Sequence, residues 1–501
     1  MDKNELAGIL ESLTRGAKKA GDPEGLVDKE FEDVNVVRKG RKIVLPLDMS
    51  YTEAIDWMKR KRKQEETEIA IKIRVDAFPL DGACALCDVL KDMYGWSDLV
   101  PRPGFFGPEP PMMISVETGP NGESRQVPWG DMQIPKIEGT LTTSFTMNDD
   151  RPCFELTGVV KRKHEKIIQK IGDAIKERVR THSIYRGKAI RMRFRDADGE
   201  RIKFDPTIAP KFEDLKDVKP EDLIFSKDTQ EMLETTLFTP VQYTQACREQ
   251  GVPLKRGVLL EGPFGTGKTL TAGVLARICV ENGWTFLYVD DVRDLDMALK
   301  FARLYQPCVV FGEDIDRAIG MNRSSDVDRI LNTLDGIGSK KAEIFVCLTT
   351  NNVDVIGPAF MRPGRIDTVV HIGPPDGEAA VKLVRLYGHG RVKGNDKDIE
   401  KAVKPVIGSN AAFLQEVTER SKLAAIRRIE GKGSIMITPT DIAYAASQMA
   451  AHLKLSAPDK EGLEVNPVAE FARALGKELE TAPLVKKIAE KSAEATAVKL
   501  Q

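Results

Sequence analysis

The chain has 501 residues and a formal net charge of −1; 41% of its residues are hydrophobic and 30% are charged. This balance is typical of a soluble globular chain with several domains, and it excludes a whole-chain field that would favour nucleic acid or a membrane surface. No run of about eighteen apolar residues occurs, so no membrane span is predicted. Seven scattered cysteines, with no long apolar run in the first thirty residues, predict reduced thiols and a cytoplasmic location.

The first part of the chain predicts an α+β domain behind a polar segment. Residues 1–50 show weak periodicity and form an N-terminal segment that is expected to be partly flexible, and residues 51–215 form the accessory domain with its linker. A hairpin is predicted around Asp198 and Gly199. Helices are predicted at 51–66, 81–96 and 161–180, and strands at 67–78 and within MMISVET, TLTTSFTM and CFELTGVV.

Two features of this region allow a chemical interpretation and an ordinary one. The basic helix at 161–180 could contact phosphates, but its interspersed acids and its apolar face favour an ordinary amphipathic helix. Cys84 and Cys87 form a single C-x-x-C pair without a second pair or a nearby histidine. Packed thiols within a helix are therefore favoured over a metal site.

The strongest local pattern is LLEGPFGTGKTLTA, which follows the strand-like RGVLL and precedes a helix-like run. It contains G-x-x-x-x-G-K-[ST], the loop whose backbone N–H groups surround phosphate oxygens at a helix N-terminus. Lys268 can neutralise charge on the β- and γ-phosphates, and the Thr269 hydroxyl can bind Mg²⁺. The residues predicted to contact ATP here are Gly262, Pro263, Phe264, Gly265, Thr266, Gly267, Lys268, Thr269 and Leu270.

Strand-like and helix-like runs alternate after this loop. TFLYVD is followed by PCVVFGEDID, which ends in Glu313 and Asp314, and then by EIFVCLTTNN and PAFMRPGRID. The order of segments therefore predicts an α/β nucleotide-binding domain.

These segments together resemble the AAA family of AAA+ ATPases, in the clade that carries the second region of homology. The resemblance covers residues from about 220 to 450 and rests on GVPLKRGVLLEGPFGTGKT, VVFGEDID, LNTLDGI, TTNNVDVIGPAFMRPGRID and HIGPPD. It implies a P-loop core with a parallel sheet over 216–375, an α-helical lid over 376–452 and a helical or flexible tail over 453–501. The expected fold is thus α/β with an α+β domain in front.

The resemblance also implies roles for residues outside the phosphate loop. Asn351 takes the position that orients the attacking water, and Asp335 the position that signals between subunits. Arg362 and Arg365 take the positions of arginine fingers, which act on a neighbouring subunit and so imply a homo-oligomeric ring, most often a hexamer. Within the lid, the nucleotide contacts implied are Tyr387, Asn410 and Ala411.

The acid pair departs from the family order, because Glu313 precedes Asp314. By position, Glu313 is expected to hold Mg²⁺ together with Thr269, and Asp314 to act as the base. A methylene changes the reach of a side chain by about 1.5 Å, and a misplacement of about 1 Å can lower a rate on the order of 10²-fold. A competent but slow ATPase is predicted. Backbone adjustment at Gly312 could compensate, and restoring the family order should keep or raise activity.

A second departure concerns the loop that lines the pore of such rings. The resemblance implies an aromatic–hydrophobic–glycine loop there, but no aromatic–x–glycine lies between Tyr288 and Phe301. Peptide threading by aromatic side chains is therefore doubtful, and substitutions at 292–295 should be tolerated.

Three functions remain open from the sequence. ATP hydrolysis could drive remodelling of a protein target that residues 1–215 select. A slow ATP-gated scaffold or switch is the alternative, and the missing pore aromatic favours it. A nucleic-acid motor is less favoured because the net charge is near zero, and no membrane partner is expected.

Overall fold

The computed structural model describes residues 37–39, 42–44, 51–95, 98–105, 107–135, 137–148, 151–195, 210–317, 330, 342–362 and 364–456. Two compact units divide the chain. The first comprises Met1–Leu223 and Lys227–Gly373, and the second comprises Ile224–Ser226 and Pro374–Gln501. Within the described residues, no helix is both long and apolar enough to cross a bilayer.

The first unit begins with an antiparallel sheet of five strands, in the order β3-β11-β10-β9-β4. Its central hairpin pairs β10 with β11 from Gly139↔Val160 to Asn148↔Arg151. The same part of the chain also forms three separate two-stranded pairs, β1–β2, β5–β6 and β7–β8. The strands are β1 (Val37–Lys39), β2 (Lys42–Val44), β3 (Glu68–Val75), β4 (Asp98–Leu99), β5 (Arg102–Gly104), β6 (Gly107–Glu109), β7 (Met112–Glu117), β8 (Ser124–Trp129), β9 (Asp131–Gln133), β10 (Gly139–Asn148) and β11 (Arg151–Lys161).

Three helices accompany these strands: α1 (Tyr51–Glu65), α2 (Pro79–Tyr94) and α3 (Glu165–His182). Ile168, Ile171, Ile175 and Val179 of α3 recur at helical spacing and are buried. Their burial explains why this helix stays on the sheet despite its many charges. The helices predicted at 51–66, 81–96 and 161–180 and the strands predicted beside them are confirmed, with ends that differ by a few residues.

The nucleotide-binding region forms a second sheet of seven strands, in the order β13-β12-β15-β16-β17-β14-β18. All neighbours run parallel except β12 and β13, which are antiparallel. The strands are β12 (Ala189–Met192), β13 (Lys211–Phe212), β14 (Arg256–Glu261), β15 (Thr285–Val289), β16 (Cys308–Gly312), β17 (Ile344–Thr350) and β18 (Thr368–His371). The helices are α4 (Lys227–Leu233), α5 (Thr239–Gln242), α6 (Thr244–Glu249), α7 (Lys268–Glu281) and α8 (Leu295–Ala302).

This sheet explains why its central strands are continuous apolar runs. Every residue of β16 and β17 is buried, as expected for parallel strands that are covered on both faces. Glu313 and Asn351 directly follow the carboxyl ends of these two strands and lie at one edge of the sheet. The fold thus brings these two polar strand ends together.

The same sheet draws strands from both sides of the boundary predicted at residue 216. Ala189–Met192 pairs in parallel with Thr285–Val289, and Lys211–Phe212 adds the outermost strand. The hairpin predicted over 188–204 is therefore wrong for its first strand, which joins this sheet because its apolar residues find a partner in β15. Its predicted turn at Asp198 lies outside the described residues.

A buried polar cluster lies where the accessory sheet meets the nucleotide-binding sheet. We call Asp81, Ser183 and Tyr305 the junction cluster. The Tyr305 hydroxyl donates to Asp81 at 3.1 Å and accepts from the Phe78 N–H at 2.8 Å, and Ser183 donates to Asp81 at 2.7 Å. Because Tyr305 directly precedes the segment that leads into β16, the accessory region is tied to the strand that carries the acid pair.

The second unit is helical. It contains α9 (Gly377–Tyr387), α10 (Asp396–Val403), α11 (Ala411–Arg428) and α12 (Pro439–Ser456). These helices pack their apolar sides into one core that includes Val384, Ile399, Leu414 and Ile442. The tail predicted from residue 453 lies almost wholly outside the described residues.

Candidate nucleotide-binding site

The phosphate loop connects β14 to α7 and depends on three glycines. Gly262, Gly265 and Gly267 have φ angles of 159°, 74° and 106°, which non-glycine residues rarely adopt. A Cβ on Gly262 would lie 2.2 Å from the carbonyl oxygen of Ile372. The glycines of the pattern therefore follow from backbone geometry and from close packing against the next strand.

The rest of the loop presents a mixture of buried and exposed groups. Thr266 is buried, and its hydroxyl donates to the carbonyl of Pro263 at 2.9 Å. Phe264 is 63% exposed and Leu270 is 39% exposed, so both apolar side chains are open to a ligand. Two of the residues predicted to contact ATP, Phe264 and Leu270, therefore form an exposed apolar surface beside the loop.

Lys268 lies at the first position of α7 and is only 7% exposed. Its ammonium group donates to the carbonyls of Gly262 and Pro263 at 2.6 and 2.8 Å and to Oδ1 of Asn351 at 2.9 Å. Burial lowers its pKa from the usual value, although Asp314 and other acids nearby act in the opposite sense. The lysine charge is thus held over the loop by neutral oxygens.

Glu313 makes one contact with each of its two carboxylate oxygens. Thr269 Oγ1 donates to Oε1 at 2.5 Å, and the Tyr288 hydroxyl donates to Oε2 at 2.6 Å. The acid following β16 and the hydroxyl at the start of α7 are therefore adjacent, as a shared cation would require. Sequence reasoning did not assign Tyr288, and only its place at the end of the neighbouring strand could have suggested it.

Asp314 lies on the other side of the acid pair. Its Oδ1 accepts from Asn351 Nδ2 at 2.8 Å, and its Oδ2 pairs with Arg317 at 3.0 Å. Its backbone N–H donates to Thr349 Oγ1 at 3.0 Å, and its φ angle is 52°. Left-handed backbone is unusual for a residue with a Cβ, and such strain is concentrated at functional sites.

The unusual backbone conformation lies at Asp314 and not at Gly312, where a compensating adjustment was expected from the sequence. A Cβ on Gly312 would lie 2.9 Å from Val292 Cγ2, so this glycine is needed for close packing. The positive φ angle falls at Asp314 instead. Aspartate tolerates this conformation better than most residues because its short polar side chain can bond locally.

Asp316 is a further polar residue of this edge that sequence reasoning missed. Its Oδ1 accepts from Thr350 Oγ1 at 2.9 Å and from the N–H of Asn351 at 3.2 Å. It therefore fixes the end of β17 from which Asn351 projects. The alternation of acids in GEDID was the signal available for it.

The two predicted arginine fingers differ in their surroundings. Arg362 is exposed, whereas Arg365 is half-buried and donates to the carbonyl of Ala359 at 2.7 Å. The structure therefore leaves Arg362 accessible and engages Arg365 within its own chain. Asp335, expected to signal between subunits, lies outside the described residues.

Three predicted nucleotide contacts lie in the helical unit. Tyr387 is partly buried and packs against the apolar core of that unit, and so does Ala411. Asn410 caps α11, because its side chain accepts from the N–H of Phe413 at 2.8 Å. Each of the three therefore has a local structural contact within its unit.

The segment expected to replace a pore loop belongs to the core. Val292, Asp294 and Leu295 are buried, and Asp294 pairs with Arg195 at 2.8 Å. The burial of these residues favours the opposite of the predicted tolerance at 292–295, because truncation would open a cavity or leave a buried charge unpaired. No aromatic side chain projects from this segment.

The C-x-x-C pair lies in α2. Cys84 is buried and Cys87 half-buried, and burial raises the pKa of both thiols, that of Cys84 to about 11. Within the described ranges, no three His, Cys, Asp or Glu side chains are grouped as metal ligands. A magnesium site of the P-loop kind needs fewer protein ligands, because phosphate oxygens and water supply the rest. Thr269 with Glu313 fits such a site.

A family model described as "ATPase family associated with various cellular activities (AAA)" matches residues 258–374. A cell division cycle protein 48 homolog from Archaeoglobus fulgidus is 29% identical over 262 residues, which are 48% of this chain and 34% of that protein. The 26S proteasome regulatory subunit 10B of Dictyostelium discoideum is 32% identical over 223 residues, 40% of this chain and 54% of that protein.

An ATP-dependent zinc metalloprotease, FTSH 1 of Arabidopsis chloroplasts, is 32% identical over 213 residues, which are 38% of this chain and 29% of that protein. The chain thus spans about half or less of the length of these three relatives. The similarity concerns the region that holds the phosphate loop and the acid pair.

Proposed function

We propose, from the match of residues 258–374 to the model of the AAA family of ATPases, that the chain binds ATP with Mg²⁺ and hydrolyses it. The observation that carries the proposal is one connected set of hydrogen bonds. Lys268 donates to Asn351 at 2.9 Å, and Asn351 donates to Asp314 at 2.8 Å. A phosphate-binding lysine, a polar strand end and a carboxylate thus lie within direct contact of one another.

In this proposal the residues divide the work between charge and proton transfer. Lys268 offers its ammonium charge to the β- and γ-phosphates, where a bound phosphate oxygen would replace a carbonyl partner. Thr269 and Glu313 hold Mg²⁺, which neutralises phosphate charge when it is bound. Their oxygens, a hydroxyl and a carboxylate, are of the kind that Mg²⁺ prefers.

Asp314 is the proposed base, because its position places it beside the residue that orients water. Asn351 touches both Lys268 and Asp314, so a water near the carboxylate would lie next to the lysine-bound phosphate. Arg317 also pairs with Asp314 and is 65% exposed, so solvent weakens that pair. Asp314 can therefore release Arg317 in order to polarise water.

We further propose a homo-oligomeric ring, a hexamer as the family resemblance implies, with Arg362 reaching the nucleotide of the next subunit. The exposure of Arg362 supports this role, whereas Arg365 supports the loop through Ala359. Arginine fingers raise turnover about 10³–10⁵-fold in related enzymes. The turnover of Arg362→Ala should therefore fall on that scale while ATP remains bound.

Phosphate release per subunit, measured over a range of protein concentrations, tests hydrolysis and assembly together. Turnover should rise with concentration as light scattering reports larger particles, and Arg362→Ala should assemble without this rise. Arg391→Ala, which removes an exposed arginine of the other unit, is the matched control. Concentration-independent turnover by a monomer would refute the ring, and the absence of any turnover would refute the ATPase.

For the output of the ring we propose remodelling of a protein target that the accessory region selects. Support comes from the shared core that joins the accessory sheet to the nucleotide-binding sheet, and from the hydrogen bond between Asp81 and Tyr305, which lies three residues before the start of β16. We place the chain in the cytoplasm because its cysteines are free. Nucleic acid and membranes are not proposed as partners.

A slow ATP-gated scaffold is the second candidate, and one observation favours it. The segment from Val292 to Leu295 is buried in the core and offers no aromatic side chain to a threaded peptide. An ATP-driven unfolding assay on a tagged fluorescent reporter separates the two functions. Unfolding would support remodelling, whereas ATP-dependent assembly without unfolding would support the scaffold.

A further inference from the structure

Tyr288 lies beside the acid pair and has no role in the functions described above. Its hydroxyl donates to Oε2 of Glu313 at 2.6 Å, while Oε1 of the same carboxylate faces Thr269 at 2.5 Å. We propose that Tyr288 is a positioning residue that orients Glu313 toward the cation. The proposal rests on the proposed ATPase function, since it concerns the same site.

The length of the glutamate side chain explains why a positioning residue is needed. Glutamate has one more rotatable bond than aspartate, and ordering such a side chain costs conformational entropy. A hydrogen bond at one oxygen removes part of this freedom before a ligand arrives. With Oε2 fixed by Tyr288, Oε1 is directed to Thr269, which supplies the second protein oxygen for the cation.

Tyr288 is itself held from behind by the strand β12. The Arg191 guanidinium lies 3.7 Å from the centroid of the Tyr288 ring, and the two residues are register partners in the parallel pair β12–β15. Arg191 pairs with Asp290 at 2.8 Å and also with Glu213. Tyrosine, arginine and two acids thus form a second layer behind Glu313.

Partners that orient a metal ligand typically change metal affinity or activity by about 10–100-fold when they are removed. Tyr288→Phe keeps the ring and its stacking on Arg191 but removes the hydroxyl. The Mg²⁺ concentration needed for half-maximal binding of a fluorescent ATP analogue should therefore rise about tenfold or more. The same analogue without Mg²⁺ should bind both proteins alike.

A double-mutant cycle with Glu313→Asp shows whether the hydroxyl acts through the glutamate. The shorter acid is not expected to reach Tyr288, so adding Tyr288→Phe to Glu313→Asp should produce little further change in Mg²⁺ dependence. Tyr94→Phe is the matched control, since it removes a hydroxyl from a half-buried tyrosine of the accessory region. It should leave the Mg²⁺ titration unchanged.

The outcomes separate this proposal from the proposed function. If the wild type binds the analogue in an Mg²⁺-dependent way and Tyr288→Phe matches it, the positioning role is refuted and the ATPase proposal survives. Equal losses in the single variant and in the Glu313→Asp background would also refute it, because the hydroxyl would then act elsewhere. If the wild type shows no Mg²⁺-dependent binding, the ATPase proposal and this inference both fail, whereas binding without turnover refutes hydrolysis alone.

Discussion

Two carboxylates of the first unit are held by similar groups in opposite surroundings. Asp314 accepts from an amide and pairs with a mostly exposed arginine at the edge of the nucleotide-binding sheet. Asp81 accepts from Ser183, Tyr305 and the Ile184 N–H, and it is 1% exposed. Asp314 can exchange a protein partner for a ligand, whereas Asp81 is enclosed by the fold and cannot.

This difference separates function from stability. A carboxylate at an accessible edge can lose a protein partner and gain a water molecule or a cation without unfolding the protein. A sealed carboxylate can only keep or lose the partners that the fold provides, and a loss carries the full penalty of burial. Substitutions at Asp314 and its partners should therefore change nucleotide binding and turnover, and substitutions at the junction cluster should change the free energy of unfolding.

The largest effect is expected for Lys268→Ala. It removes the ammonium group that would neutralise the β- and γ-phosphates, so binding of a fluorescent ATP analogue should be lost. Lys397→Ala, which removes an exposed lysine of the helical unit, should bind normally. Normal analogue binding by Lys268→Ala would show that the loop is not a phosphate site.

The junction cluster should give the protein a characteristic pH dependence. Burial raises the pKa of Asp81 to about 6, against the hydrogen bonds from Ser183, Ile184 and Tyr305 that lower it. The folded state then binds the proton more tightly than the unfolded state, whose aspartate pKa is about 3.9. This contribution to stability is complete below pH of about 4 and is lost as the pH rises through about 6.

The size of that change is roughly 3 kcal/mol, at about 1.4 kcal/mol for each pKa unit. Urea unfolding of the wild type and Asp81→Asn, measured between pH 4 and 7, isolates the contribution, because other titrating groups are common to both. The difference in unfolding free energy should change across this window. A constant difference would show that Asp81 does not titrate with the fold.

A smaller effect is expected from the same substitution at two neighbouring tyrosines. The rings of Tyr305 and Tyr185 lie 5.8 Å apart, and both are fully buried. Tyr305→Phe removes one of the three donors to Asp81 and the hydroxyl that accepts from the Phe78 N–H, so the free energy of unfolding should fall by about 1–3 kcal/mol. ATP analogue binding by the folded variant should be unchanged.

Tyr185→Phe should have the opposite sign. Among the described residues no hydrogen-bond partner meets the buried Tyr185 hydroxyl, so its removal relieves a desolvation penalty of about 1 kcal/mol. Urea unfolding of the two variants side by side is sufficient to compare them. If Tyr185→Phe destabilises as much as Tyr305→Phe, ring packing rather than hydrogen bonding controls this junction.

The two clusters also differ in how far sequence could reveal them. Lys268, Thr269 and the acid pair lie in local motifs, so their place in one nucleotide site was predictable from the resemblance to a known family. Asp81 and Tyr305 are separated by 224 positions, and no local pattern joins them. The strand Ala189–Met192 was predicted as one arm of a local hairpin for the same reason, since its partner β15 lies far along the chain.

Backbone conformation was a second limit. The sequence showed that Glu313 and Asp314 are exchanged, but not that Asp314 has a φ angle of 52°. Glutamate is less readily accommodated there than aspartate, whose short polar side chain can bond locally. An aspartate at position 313 would also be too short to contact Thr269 and Tyr288 together. From this geometry we predict instead that restoring the family order lowers activity.

Steady-state phosphate release by three proteins tests the central claim that the exchanged acids form a working site. The wild type should hydrolyse ATP, Asp314→Asn should bind it but turn over roughly 10²-fold more slowly, and the double variant Glu313→Asp with Asp314→Glu should be roughly tenfold slower than wild type. Full turnover by Asp314→Asn would contradict the role of Asp314. An inactive wild type beside an active double variant would show that the native order inactivates the site.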